Sequence, residues 1–278
     1  MSKRNNWENK QSARERLRAE REAQAKKAKA RRQLLVAAGV VGVLALAGGI
    51  GYAATQMGGK KGTSADWDAA AKKTLVKPAN TAGENGTEVV VGNKDAKHTL
   101  EIYQDMRCPI CSVFEQNNGE TIEKDVKAGK YKVSYHIGTF LDRNPQISGT
   151  GSKNALSALG AALNVGVDAF QAYNKALYAK DNHPDETKDD FAKDDVLLKV
   201  AQQVPQLKGN AEFEKNVKDG TFDKWALEMS DTFDKAKDVT GTPTLKLDGK
   251  KVTVDTPNGK GAPMTPQQFT SAVDDQLK

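Results

Sequence analysis

The 278-residue chain has two cysteines, and they stand three positions apart in Cys108-Pro109-Ile110-Cys111. A pair so spaced can be a structural disulfide, half of a metal site or a reversible redox couple. A bond closing a four-residue loop stabilises by only ~2 kcal/mol in the chain-entropy model, against ~3 for fifteen residues, so a bond placed for stability would close a longer loop. A tetrahedral metal site needs two more ligands, and His98, His136 and His183 have no ligand-like spacing to the pair. Redox chemistry is favoured, with the cysteine pair itself as the redox group and neither a cofactor nor a metal expected.

That chemistry needs the two thiols to differ. Pro109 suits the first position of a helix. Cys108 is then at the helix N-terminus, where unpaired amides and the macrodipole stabilise a thiolate and lower its pKa from ~8.5. Cys111 falls one turn in, beneath Cys108 and more buried. Cys108 exchanges with the substrate, and Cys111 resolves the mixed disulfide. Arg107 is placed to add positive charge at Cys108, and Asp105 to oppose it.

The elements around the pair read as strand, helix, strand. Residues 98–104 form a strand with Leu100 and Ile102 alternating against Glu101 and Tyr103. A helix follows the cysteines, with Val113, Phe114, Ile122 and Val126 as its apolar positions, ending near Gly129. Residues 131–140 are the next strand. Upstream, residues 74–77 and 87–91 are strand candidates, with Asn85-Gly86 as a hairpin turn. Residues 152–239 change to helical periodicity, and their apolar stripes are read as core. After Gly241-Thr242-Pro243 the period returns to two. Residues 244–247 and 251–254 predict a hairpin, and residues 266–277 a closing helix with Phe269, Val273 and Leu277 on one face.

The net charge of +6 is not spread evenly. Residues 1–32 hold 12 Lys/Arg against 4 Asp/Glu, and the rest of the chain 30 against 32. The basic character belongs to a tail, so no nucleic-acid groove is expected in the folded part. Residues 34–54 carry no charge, and a helix of that length spans ~30 Å, the thickness of a bilayer core. A long basic segment before it and a poor small-residue cleavage site after it favour a signal anchor over a cleaved signal peptide. The positive flank stays in the cytoplasm, where residues 1–33 can lie on anionic lipid. Residues 55–73 read as a linker to the exported part.

Asp105-Met106-Arg107-Cys108-Pro109-Ile110-Cys111, the later Gly241-Thr242-Pro243-Thr244 and the helical block between them resemble the DsbA-like branch of the thioredoxin superfamily. The match covers roughly residues 87–278 and is closest to membrane-anchored members from Gram-positive bacteria of the actinobacterial kind. The resemblance implies an α/β thioredoxin fold, built from residues 74–151 and 240–278, with residues 152–239 as an inserted helical domain that lids it. It implies a cis Pro243 beside Cys108, in a loop where Thr242 and Pro243 receive an extended substrate strand. It further implies an extracytoplasmic dithiol oxidase, acting on exported cysteine-containing proteins and re-oxidised by a membrane partner. An exported reductase or isomerase, or a non-catalytic binding or chaperone module, are the alternatives. Two departures stand out. The family's buried acid, six residues before the first cysteine, falls here on Ile102, with Glu101 one position off. Ile110 stands where a polar or aromatic residue is common and cannot itself hydrogen-bond the Cys108 sulfur.

The topology is testable directly. Protease added to intact cells should digest the part C-terminal to residue 54 and spare residues 1–33. Protection of the C-terminal part would contradict the assigned orientation.

Overall fold

A computed structural model describes residues 67–257 and 259–278. The expected basic tail and membrane span, with residues 55–66 of the expected linker, lie outside the described residues. Among the described residues, no helix is long and apolar enough to cross a membrane. Trp67–Ala70, within the segment read as linker, forms a short helix, α1, that buries Trp67 and Ala70.

The sheet has five strands. They are β1 (Val89–Val91), β2 (Thr99–Asp105), β3 (Lys132–Gly138), β4 (Thr244–Leu247) and β5 (Lys250–Lys251), in the order β1-β3-β2-β4-β5. Strands β2 and β3 are parallel and joined by helix α2 (Pro109–Lys127), since a parallel pair needs a long crossover. The other neighbours are antiparallel. Strand β2 is thus central, and its C-terminal end delivers the chain to the cysteines.

Both faces of β2 are covered, which departs from a simple in-out alternation. Leu100 and Ile102 are fully buried, and Tyr103 and Gln104 are buried as well. On one face, Phe114 of α2 meets Phe269 of the closing helix α8 (Pro266–Leu277) edge to face at 6.3 Å. On the other, Tyr103 meets Phe233 of helix α7 (Asp223–Asp234) at 5.9 Å. The chain between β3 and β4 forms α3 (Gly151–Val165), α4 (Val167–Tyr178), α5 (Asp194–Ala201), α6 (Ala211–Lys218) and α7. Helix α7 gives that second cover, whereas α4 lies beside α2 on the first face, where Phe170 meets Tyr135 edge to face at 5.5 Å and Asn174 accepts from Gln104 Nε2 at 3.0 Å. Twelve of the fifteen residues of α3 are buried, so α3 is the axis around which the insertion packs. Trp225 donates its indole N–H to the Gly86 carbonyl at 2.6 Å and ties the insertion to the chain ahead of β1.

Two expected strands do not form as expected. Residues 74–78 are irregular. Just after them, Ala79 N donates to Asn164 Oδ1 and Asn80 Nδ2 to the Leu163 carbonyl, so the chain is tied to the end of α3 there. Asn85 and Gly86 do turn the chain, in a short 3-10 turn, but the flanking segments share a single bridge between Ala82 and Glu88. The hairpin after β4 also stops short. Strand β5 ends at Lys251, and Val254–Thr256 (β6) pairs with Gly259–Gly261 (β7) in a separate ribbon. A local partner costs less loop closure than a distant one.

The insertion packs without slack. A Cβ built on Gly160 of α3 would lie 2.8 Å from the Trp225 ring and 3.0 Å from Phe222 Cβ. Overpacking of this kind costs about 1–3 kcal/mol. Gly160→Ala should lower the melting temperature by roughly 2–12 °C at ~2–4 °C per kcal/mol for a domain of this size. Differential scanning calorimetry measures this, and an unchanged melting temperature would show that α3 and α7 have room to spare.

Candidate active site

The chain leaves β2 at Asp105 and starts α2 at Pro109, so Met106, Arg107 and Cys108 form the link. Several groups hold this turn. Asp105 accepts from Arg107 N (2.9 Å) and Ser152 Oγ (2.6 Å) on Oδ1, and from Leu141 N (3.1 Å) on Oδ2. Its carbonyl accepts from Cys108 N (3.0 Å) and from the Tyr178 hydroxyl (3.0 Å). Burial pushes the Asp105 carboxyl up to about 7 against the pull of those donors.

Cys108 is the N-cap of α2 and Pro109 its first residue. Both cysteines are free thiols, Cys108 near the surface at 7% exposure and Cys111 at 0%. The Cys108 thiol is lowered to about 6. The Cys111 thiol donating to it is the largest cause, and the Thr242 side chain and the amides of Cys111 and Ile110 add to it against desolvation. The Thr242 carbonyl, 3.7 Å from Cys108 Sγ, accepts from the protonated thiol and works the other way. Four groups that favour the thiolate outweigh one carbonyl and partial burial. Cys111 moves up, first through burial and then through its bond to Cys108. Two adjacent sulfurs in a low-dielectric site cannot both ionise, so one proton stays on Cys111.

The structure brings together most of the residues singled out from sequence. The Thr242-Pro243 bond is cis, and its loop lies against Cys108. A groove of ≈ 320 Å³ runs along this loop, and Lys251 and Lys260 are among the residues that line it. Ile110 is half exposed, and although its side chain offers the sulfur nothing, its backbone N–H does. Three placements differ from expectation. Val113, read as a core position, is 45% exposed beside Ile110, whereas the other three apolar positions expected of α2, Phe114, Ile122 and Val126, are buried. Glu101 points to the face of β2 opposite the cysteines, where it accepts from the Tyr103 hydroxyl at 2.7 Å and lies 3.9 Å from His136. Side chains alternate along a strand, so one position of offset puts it on the wrong side. Arg107 is buried and turned away from Cys108, toward Asp142 at 3.1 Å.

The sequence reading missed a second acid. Glu115 lies one helical turn beyond Cys111, is buried, and its Oε1 has no partner. Burial holds its carboxyl up to about 7, with Lys175 pulling weakly down. Its place at i+4 from Cys111 was legible in the sequence, but its burial by α4 was not.

These features have relatives. The thioredoxin family profile matches residues 84–275. Disulfide bond formation protein D of Bacillus subtilis is 26% identical over 164 residues, which cover 59% of this chain and 68% of that protein. Two solved structures share the fold. Oxidised BdbD of Bacillus subtilis has a TM-score of 0.54 at 20% identity, covering 73% of this chain and 99% of that one. The reduced disulfide bond oxidoreductase DsbG of Mycobacterium tuberculosis has 0.52 at 21%, covering 72% and 85%. With more than half of its length matched and the cysteine pair at the start of α2, the chain belongs to the thioredoxin family of thiol–disulfide oxidoreductases.

Proposed function

We propose that this protein is an extracytoplasmic dithiol oxidase, tethered by residues 34–54, which passes its Cys108–Cys111 disulfide to exported proteins. The unequal ionisation of the two thiols carries this reading. A stabilised Cys108 thiolate favours the reduced pair, and a pair that is stable when reduced is a strong oxidant. A substrate thiolate attacks Cys108 Sγ, the Cys108–Cys111 bond breaks, and Cys111 leaves and takes a proton. A second substrate thiolate attacks the mixed disulfide at the substrate sulfur and expels Cys108 as a thiolate. Two electrons have then moved from the substrate to the pair, and a membrane partner of the disulfide or quinone class must remove them.

The surroundings suit an unfolded chain. Of the four exposed large hydrophobics among the described residues, Ile110 and Val113 flank Cys108, an apolar rim for segments not yet buried. Pro243 has no N–H and leaves a backbone edge free beside the sulfur, where an extended segment can add as a strand.

The thiol roles and the direction are separately testable. Alkylation of the reduced protein by a small reagent, followed across pH, should label Cys108 with a midpoint near 6. Labelling should rise with pH, because the reactive form is the thiolate, and Cys111 should lag throughout. First labelling at Cys111 reverses the roles. Run in reverse, the Cys108 thiolate attacks a disulfide of an exported protein and Cys111 then resolves the mixed disulfide at Cys108 Sγ, so Cys111→Ala should accumulate such species, and a further Cys108→Ala should abolish them. The reduction potential decides direction: a value near about −120 mV supports an oxidase, and one near about −270 mV a reductase.

A further inference from the structure

Arg107 is a cation beside the nucleophile, yet it contributes no donor to it. Its side chain is 1% exposed. One terminal nitrogen lies 3.1 Å from Asp142 Oδ1 and 3.4 Å from Asp189 Oδ1. The other donates to the carbonyls of Ile147 (2.8 Å) and Glu186 (3.1 Å). All four partners lie beyond β3: Asp142 and Ile147 in the segment before α3, Glu186 and Asp189 in the segment between α4 and α5. The two carboxylates have a second duty. Asp142 accepts from Ser152 N and Lys153 N, and Asp189 from Thr150 N and Gly151 N. They therefore cap the open amides at the start of α3, and the guanidinium bridges both caps. Packing there is tight: a Cβ on Gly151 would come within 2.6 Å of Asp189 and 3.1 Å of Arg107 Cδ.

We propose that Arg107 is a positioning residue, through which the helical insertion holds Cys108 in register with the first amides of α2. The inference rests on Cys108 being the nucleophile. Residue 107 is bonded to residue 108, so a side chain fixed to α3 restrains the Cys108 backbone from outside the thioredoxin core. The backbone N–H of Arg107 completes the clamp by donating to Asp105, which also accepts from Ser152 of α3. A small displacement of Cys108 would misalign the donors that hold the thiolate, because hydrogen bonds weaken steeply off axis. A planar fork with five donors can reach four acceptors at once, whereas a lysine ammonium cannot match that geometry.

Arg107→Lys separates geometry from charge, because the charge stays. The thiolate absorbance of Cys108, titrated in the full reduced chain, is the readout. Arg107→Lys should raise the titration midpoint and cut the thiolate fraction at mildly acidic pH by about threefold to tenfold, where tenfold is one pKa unit. Arg143→Lys, at the exposed Arg143–Asp234 pair, should leave it unchanged. If Arg107→Lys does not fold, Asp189→Asn, which keeps the Arg107–Asp142 pair, should give a smaller rise of the same sign. A lower melting temperature with an unmoved Cys108 midpoint in the folded variant would reduce Arg107 to a structural residue and overturn the proposal. A wild-type midpoint near that of an ordinary thiol would instead remove the reading of Cys108 on which it rests.

Discussion

The open amides at the start of α2 are the interaction on which the site depends. A helix begins with N–H groups that have no partner within the helix, and most helices satisfy one of them with a serine, threonine, aspartate or asparagine side chain. Here the N-cap is Cys108, and no side chain caps the helix. The donors stay available to a sulfur that accepts well only when ionised. The second thiol must be the opposite. Cys111, one turn in, is fully buried and its ionisation is suppressed. One helix start therefore produces both a thiolate and a protected thiol, and the unequal pair follows from geometry that spans four residues.

Two buried carboxyls lie close to this pair in the chain and differ in their support. Asp105 has three protein donors on its two oxygens and serves as an anchor for the turn. Glu115 has an oxygen without a partner. Both are held up to about 7 by desolvation, but only Asp105 is committed to structure. An unpaired buried acid is costly to keep, which marks Glu115 as a residue that sequence position alone does not explain.

The insertion is more than cover for one face of the sheet. It supplies Phe233 against Tyr103, Tyr178 and Ser152 against Asp105, and the carboxylates that hold Arg107. The turn ahead of Cys108 is thus gripped from the thioredoxin core on one side and from α3 and α4 on the other. A short loop between two regular elements is held in a single geometry because separate parts of the chain converge on it.

The sequence alone determined what depends on near neighbours. Strand β2, helix α2 and helix α8 were legible because their periodicity and end residues are local, as with Pro109 at the start of α2 and Pro266 at the start of α8. The placement of Cys108 at a helix N-terminus, with Cys111 one turn in, followed from the same rules. Tertiary structure decided where side chains found partners far along the chain. Residues 74–78 pair with no strand, and the chain just after them is held by the end of α3. Val113 is outward because no element covers that side of the first turns of α2, and Glu115 is inward because α4 covers the other. Glu101 and Arg107 have suitable chemistry close to the cysteines in sequence, but with Glu101 one position off, strand alternation turns it to the wrong face, and the carboxylates and carbonyls at the start of α3 and before α5 take Arg107. Spacing fixes which backbone direction a residue leaves from, and only the assembled fold sets what it meets there.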